Sequence, residues 1–299
     1  MFIGIDHGTT AMRFAGADAC FKIPRKEATG FNMTDLARLT PYNTLDDIEG
    51  IAVTYSMGDN FSAITSIQNL TNRGLVSREG AGEHTGGGTR VFDEVKKSGI
   101  PAVAIPGLHR GSPTDPRFKA YSHQASPEKI GIAYEVTRHL GPDCIVCDIS
   151  SNTVSLLVKD GRIVGGFDAC LFAPGRVHGA LDLDAIRAVD NRTISANDAF
   201  LQAGVGKTLT EDQQIPALAM FAAMECASLA LLAPGAPVAL CGSLAEAVEP
   251  GVTQLLGTRP LVLDEWTAAR GLSAIAEAVF KKRVPDILGI TIDLGMDHV

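Results

Sequence analysis

Ile3-Gly-Ile-Asp6-His-Gly-Thr-Thr10-Ala-Met-Arg-Phe14 decides the fold once it is laid against Ile145-Val-Cys-Asp148-Ile-Ser-Ser-Asn-Thr153-Val-Ser-Leu156. In each stretch an apolar run ends on an aspartate, a polar turn with hydroxyl groups follows, and a second apolar run begins at once. That is the pattern of a strand hairpin whose first strand carries a carboxylate at its tip. Apolar runs at 2–5, 11–15 and 19–23 make the start of the chain a meander of strands. In the second half, runs at 144–148, 154–159 and 162–167 do the same, and Asp160-Gly161 between the last two is a tight hairpin turn. The repetition implies a duplication: two α/β domains, with the two strand-ending carboxylates facing one another across a cleft.

Outward from these hairpins, further strands are expected at 51–55, 102–105, 238–241 and 260–263. Helices are expected at 128–139, 183–189, 197–203 and 267–282, the last with Leu272, Ile275, Ala276 and Val279 spaced three or four apart. Gly80-Ala-Gly-Glu-His-Thr-Gly-Gly-Gly88 and Pro106-Gly-Leu-His-Arg-Gly-Ser-Pro-Thr-Asp-Pro116 make 60–126 a loop-rich insertion holding one strand. The expected division is an N-terminal domain over 1–140, with that insertion, and a C-terminal domain over 141–299.

Composition agrees. A chain of 299 residues, 45% hydrophobic and 20% charged, is long enough for two domains of about 150 residues. A net charge of −8, from 34 acidic against 26 basic residues, gives no basic surface for nucleic acid, and no nucleic-acid partner is expected. Six cysteines lie mostly in apolar runs such as Val238-Ala-Leu-Cys241 and read as small buried hydrophobes in a reducing compartment. The opening Met-Phe-Ile-Gly-Ile-Asp lacks the basic and apolar regions of a secretion signal, so the expected location is cytoplasmic. Residues 217–233 imitate a membrane span, but Glu225 stands at their middle and Pro216 and Pro234 bound them. They read as a buried core helix, and no membrane partner is expected.

The turns carry the chemistry. Gly8 lets backbone N–H groups approach an anion, and Thr9 and Thr10 add hydroxyl donors, which suits phosphate oxygens. Asp6 could then hold Mg²⁺ through water. The same residues equally suit a plain β-turn that closes a hairpin. Asp148 and Thr153 repeat the arrangement, and Gly242-Ser243 ends a third apolar strand, which favours a phosphate cleft.

Asp6-His-Gly-Thr-Thr10, Asp148-Ile-Ser-Ser-Asn-Thr153 and Val238-Ala-Leu-Cys-Gly-Ser243 resemble the phosphate-1, phosphate-2 and adenosine motifs of the acetate and sugar kinase, heat-shock chaperone and actin superfamily. Residues 145–167 and Phe172-Ala-Pro-Gly-Arg176-Val-His-Gly179 resemble its butyrate kinase branch. The opening fifteen residues, taken with the length, resemble the methanogenesis marker protein 12 family. The resemblance implies an actin-like ATPase fold, ribonuclease H-like, with duplicated βββαβα-type domains flanking a nucleotide cleft. It implies ATP and Mg²⁺ as cofactors, with Asp6 and Asp148 organising the metal. Gly8, Thr9, Thr10, Ser151, Asn152 and Thr153 would contact the phosphates, and Gly242 and Ser243 the adenosine. It further implies a small carboxylate substrate and a homodimer. Arg176, in a loop beside the second motif, is the candidate for neutralising a transferring phosphoryl group, since a planar guanidinium matches phosphate oxygens. An interdomain or surface arginine is the competing reading.

Two activities follow from that resemblance: an ATPase or carboxylate phosphotransferase in methanogen metabolism, or a degenerate kinase fold that serves as a non-catalytic assembly or regulatory partner. The second is motivated by Ser150-Ser151-Asn152 and the single Gly242, where the superfamily has more glycines. His84 and Arg90 could bind an acidic substrate or belong to a solvated loop, and His7 could touch phosphate or only shape its turn. Three features read as decoys. Gly206-Lys-Thr208 lacks the first glycine of a P-loop, with Leu201 in its place, and Gly204 reads as a helix C-cap. Cys144 and Cys147 would point to opposite faces of a strand. His109, Asp115 and His123 have no metal-site spacing. A dinucleotide-dependent dehydrogenase is disfavoured because the first strand leads to Asp-His-Gly-Thr-Thr and no Gly-x-Gly-x-x-Gly turn.

Overall fold

The computed structural model describes residues 1–76 and 86–295. It divides the chain into two compact units, one formed by Met1–Arg138 together with the chain from Trp266 onward, the other by His139–Glu265.

The first unit opens with β1 (Phe2–His7), β2 (Ala11–Ala15) and β3 (Cys20–Pro24), then β4 (Gly50–Val53), β5 (Ile64–Ser66), helix α1 (Gly87–Ser98) and β6 (Ala102–Ala104). A two-stranded ribbon, β7 (Leu108–His109) with β8 (His123–Ala125), and helix α2 (Glu128–Leu140) follow. β1, β2 and β3 are antiparallel neighbours, whereas β4 runs parallel to β1 and β6 parallel to β4. The region expected to be an insertion with one strand thus also supplies β5, α1 and the ribbon. α1 escapes a pattern reading because it starts on three glycines, yet Val91, Phe92 and Val95 bury one face of it.

The second unit repeats the plan with β9 (Cys144–Ile149), β10 (Thr153–Lys159) and β11 (Arg162–Phe167). Asp160 and Gly161 both take positive φ, 52° and 70°, as a two-residue hairpin turn that matches strand twist requires. Three short helices, α3 (Leu183–Asp190), α4 (Ala196–Phe200) and α5 (Val205–Thr208), lead to the long α6 (Glu211–Ala230), then β12 (Val238–Cys241), α7 (Ala245–Leu256) and β13 (Leu261–Val262). The sheet order is β11-β10-β9-β12-β13, with β12 parallel to β9 and β13 parallel to β12. β3-β2-β1-β4-β6 in the first sheet has the same order and the same strand senses, so the expected duplicated α/β architecture is present.

α6 differs from its expected form. A capping box between Thr210 and Gln213 starts it before Pro216, which therefore lies inside the helix and does not bound it. One face, with Leu218, Ala222, Glu225 and Leu229, is buried, while Met220, Met224 and Leu231 stand exposed. No helix among the described residues is long and apolar enough to cross a membrane.

From Trp266 the chain returns to the first unit. Helix α8 (Thr267–Glu277), extended by a π turn over Ala278–Lys282, packs on β1 and β4, and Ser273 Oγ donates to the Phe2 carbonyl at 2.9 Å. Gly4 in β1 has no side chain because a Cβ there would overlap the Ala269 carbonyl of α8. The closing hairpin, β14 (Asp286–Ile287) and β15 (Ile290–Asp293), joins the first sheet through β15 alongside β5. The periodicity of α8 shows that one face must be buried, but it does not say against which sheet. The expected assignment of this helix to the C-terminal half is where the fold departs from the reading of the chain.

Candidate functional site

In the first unit, Asp6 and His7 end β1. Asp6 is buried, and its Oδ2 accepts from Arg13 Nη1 at 3.5 Å across the β1–β2 pair. Gly8 is half-buried, and Thr9 and Thr10 are exposed at the turn. Arg25, just past β3, donates through Nη1 to the Gly8 carbonyl at 2.8 Å, and its backbone N–H donates to the Thr10 carbonyl at 2.9 Å. The turn is thus clamped from its carbonyl side by a guanidinium that motif reading did not single out.

His7 is fixed by the neighbouring strand. Its N–H donates to Thr54 Oγ1 at 2.9 Å, its Nδ1 accepts from the Ser56 N–H at 2.8 Å, and its ring stacks on Tyr55 at 4.9 Å. With Nδ1 accepting, the ring proton sits on Nε2. Burial, reinforced by the charge of Arg25, pushes the imidazole pKa down to about 3, so the ring is neutral.

In the second unit the expected residues converge on one sheet edge. Asp148 and Cys241 are register partners on adjacent parallel strands, so Asp148 and Gly242 lie side by side at the carboxyl ends, where open α/β sheets bind ligands. Gly242 has φ 91°, and a Cβ on it would overlap Asp148 Oδ1 and lie 2.5 Å from the Ile149 carbonyl. Ser243 is exposed, and the Leu244 N–H donates to the Ile149 carbonyl at 3.0 Å, folding this turn back over the end of β9.

The Ser150-Ser151-Asn152 turn is held by the loop that carries Arg176. The N–H groups of Arg176, Val177 and His178 donate to the carbonyls of Ser150 and Ser151, each at 3.0 Å. The start of α5 holds that loop from the other side, because the N–H groups of Gly204, Val205 and Gly206 donate to the carbonyls of Val177, Gly175 and Arg176. Gly204 is therefore an N-cap, not the expected C-cap, and it is the Gly204, Val205 and Gly206 amides that brace the loop. Arg176 itself is exposed.

Thr153 sits differently from the expectation that it meets a phosphate. Its side chain is fully buried and its hydroxyl donates to the Pro174 carbonyl at 2.8 Å, so it ties the Arg176 loop to β10. Thr153→Val should cost about 1–2 kcal/mol, the penalty for an orphaned buried carbonyl, measured by denaturant unfolding.

Glu225 is a functional neighbour that motif reading missed. It is fully buried in α6, accepts from Ser155 Oγ at 2.6 Å and from the Ala173 N–H at 3.0 Å, and so fastens the same loop from below. Burial, above all, pushes its pKa up to about 8. The signal in the sequence was a lone acid inside an alanine-rich apolar run.

Other candidates do not join these edges. His84 lies outside the described residues. Arg90 is on α1, paired with Glu94 at 3.1 Å and donating to the Phe31 carbonyl. His109 and His123 are register partners in the β7–β8 ribbon, whereas Asp115 pairs with Arg117 at 2.8 Å. No group of three potential metal ligands occurs among the described residues. All six cysteines are free, and burial pushes the Cys144 thiol up to about 12.

No family profile matches the chain. Among solved structures, the acetate kinase of Porphyromonas gingivalis superposes with a TM-score of 0.53, at 11% identity, over 91% of this chain and 90% of that one. A ROK family glucokinase from Streptomyces griseus, in complex with glucose and AMPPNP, gives 0.51 at 13% identity over 92% and 99%. With the duplicated sheet order, these similarities establish the actin-like ATPase fold. In sequence, a UPF0285 protein of Methanosarcina mazei is 46% identical over 98% of this chain and 99% of its own length. One from Methanococcus aeolicus is 40% identical over 98% and 99%. At that identity over nearly full length, the chain belongs to the UPF0285 family, whose members occur in methanogens.

Proposed function

We propose that this protein binds ATP with Mg²⁺ in the cytoplasm of a methanogen and hydrolyses it or transfers its terminal phosphoryl group to a small carboxylate, within the methanogenesis marker protein 12 family and the butyrate kinase-like branch of the fold. The observation that carries the reading is the side-by-side placement of Asp148 and Gly242 at the carboxyl ends of two parallel strands, packed so closely that only glycine fits beside the carboxylate. The carboxyl ends of parallel strands are where open α/β sheets take nucleotides, and carboxylate oxygens suit magnesium. When bound, magnesium supplies charge neutralisation at the phosphate oxygens.

Asp6 and Asp148 are the proposed metal carboxylates. The Gly8-Thr9-Thr10 turn and the Ser151-Asn152 turn orient phosphates through amides and hydroxyls, and Gly242 and Ser243 let the adenosine approach the backbone. Asn152 Oδ1 is buried without a hydrogen-bond partner among the described residues, which marks this turn as a place for a polar ligand. Arg176, exposed on a braced loop, is free to swing toward a phosphoryl group and stabilise its charge. Thr153 is left out of the ligand set because its hydroxyl is already engaged.

Calorimetry with MgATP tests this. Wild-type protein should bind, and Asp148→Asn and Asp6→Asn should each weaken binding at least tenfold, about 1.4 kcal/mol. No binding by wild type, or wild-type affinity in both variants, overturns the proposal. The engagement of Thr153, together with serines in place of glycines at 150–151, favours a second reading, a nucleotide-binding partner without turnover. Phosphate release that disappears in Asp148→Asn would count against that reading.

A further inference from the structure

Between Asp212 and Glu246 the chain carries one charged residue, Glu225, and that side chain is buried on the face of α6 that holds the Ser155 hydroxyl and the Ala173 amide. A helix that is apolar all round is ordinarily buried all round. α6 packs on β9, β10 and α7, and its remaining face is bare. Pro216, Met220, Met224, Ala227 and Leu231, spaced three or four apart, form one stripe along that face. All five are exposed, Met220 at 41%, Met224 at 48% and Leu231 at 80%. Beside the stripe, the exposed Phe172 meets Phe221 edge-on at 5.8 Å. An apolar surface this continuous marks a site of contact.

The charges at the two ends of α6 select what covers it. Glu211 and Asp212 stand exposed in the first turn, and Lys159 Nζ donates to the Leu232 carbonyl, just past the last turn, at 3.2 Å. A helix that lies on a lipid surface carries Lys or Arg beside its apolar face. α6 has neither, and its first turn is acidic. A second α6 laid antiparallel fits instead. A two-fold axis beside Met224 that sets Pro216 against the second copy's Leu231 also sets Met220 against Ala227, large against small, and Met224 against its own counterpart. The same operation carries Glu211 and Asp212 to the end of the second helix where Lys159 sits. Opposite charges then meet at both ends of one self-complementary patch.

We propose that this protein forms a two-fold homodimer through the exposed face of α6, with the two helices antiparallel and Lys159 of each copy facing Glu211 and Asp212 of the other. The contact needs no nucleotide. The same helix fastens the Arg176 loop through Glu225 on its buried face, so the dimer contact and that loop share one support.

Sedimentation equilibrium of the full chain, without nucleotide and over a range of concentrations, tests this. Wild-type protein should be a dimer. Met220→Lys and Met224→Lys each place two ammonium groups in an apolar contact and should each raise the dissociation constant at least tenfold, with unchanged circular dichroism. Leu231→Lys reads the same contact where a methionine variant does not fold. Lys159→Glu should weaken association about tenfold, since attraction turns to repulsion at both ends. Adding Glu211→Lys and Asp212→Lys to it should restore most of the affinity. A wild-type chain that stays monomeric up to about 100 μM, or a dimer equally tight in the lysine variants, overturns the proposal. So does a dimer that the charge exchange fails to restore, which excludes the antiparallel register. A monomer that co-sediments with vesicles of mixed neutral and anionic lipid overturns it too, and gives the face to a membrane.

Discussion

Gly242→Ala is expected to destabilise the protein by about 3 kcal/mol or more. Two terms combine. At φ 91° an L-residue pays about 1–2 kcal/mol for the left-handed backbone. The new methyl also overlaps Asp148 Oδ1 and presses on the Ile149 carbonyl, and overpacking of this sort typically costs about 1–3 kcal/mol. Relief requires β12 to draw away from β9 or the Asp148 side chain to turn aside, so the substitution should also weaken MgATP binding. Removing the clashing oxygen gives a clean check: Asp148→Ala in the Gly242→Ala background should recover the side-chain part of the loss and leave the backbone part. Denaturant unfolding of the four proteins measures this. A loss under 1 kcal/mol for Gly242→Ala would mean that the strand ends are not packed as described.

Glu225 sets the second large effect, a dependence of stability on pH. Its pKa rises from 4.5 in the unfolded chain to about 8 in the folded one, so between those values the native state holds a proton that the unfolded state has lost. Stability from this group is complete below about 4.5, falls as pH rises toward 8, and is level above. The integrated effect is of the order of a few kcal/mol. Glu225→Gln keeps an acceptor for the Ala173 N–H and a partner for Ser155 but cannot ionise. It should therefore remove that slope and leave the variant more stable than wild type at pH about 9. Glu225→Leu orphans both partners and should cost about 2–4 kcal/mol at neutral pH. Unfolding free energies at several pH values check this, and parallel profiles for wild type and Glu225→Gln would refute the assignment.

Local pattern was enough to read the two strand meanders, the Asp160-Gly161 turn and the helix at Glu128–Leu140, because each is specified by residues close in sequence. Gly242-Ser243 reads as the end of a third apolar strand, but that this strand lies parallel beside β9, with Cys241 opposite Asp148, is a pairing no local pattern records. α7 was hidden by Pro250 and Gly251 inside it, which read as breakers, although the helix tolerates them. β5, β14 and β15 are two to four residues long and exist only through partners far away in the chain, which periodicity cannot register. The same holds for the site. Thr153 to Pro174, Glu225 to Ala173 and Arg25 to Gly8 are tertiary hydrogen bonds, and a residue's type says what it can bond but not to what.

The bond from Ser273 to Phe2 spans 271 positions, and it has a consequence for biosynthesis. β1 leaves the ribosome well before α8, with the entire second sheet translated in between. Until α8 arrives, the apolar side of β1 and β4 lacks that cover, so the unit begun before the second sheet closes only after it. The nascent chain carries that bare surface through synthesis of the whole second unit, and in the cell this interval is when a holdase chaperone has most to protect.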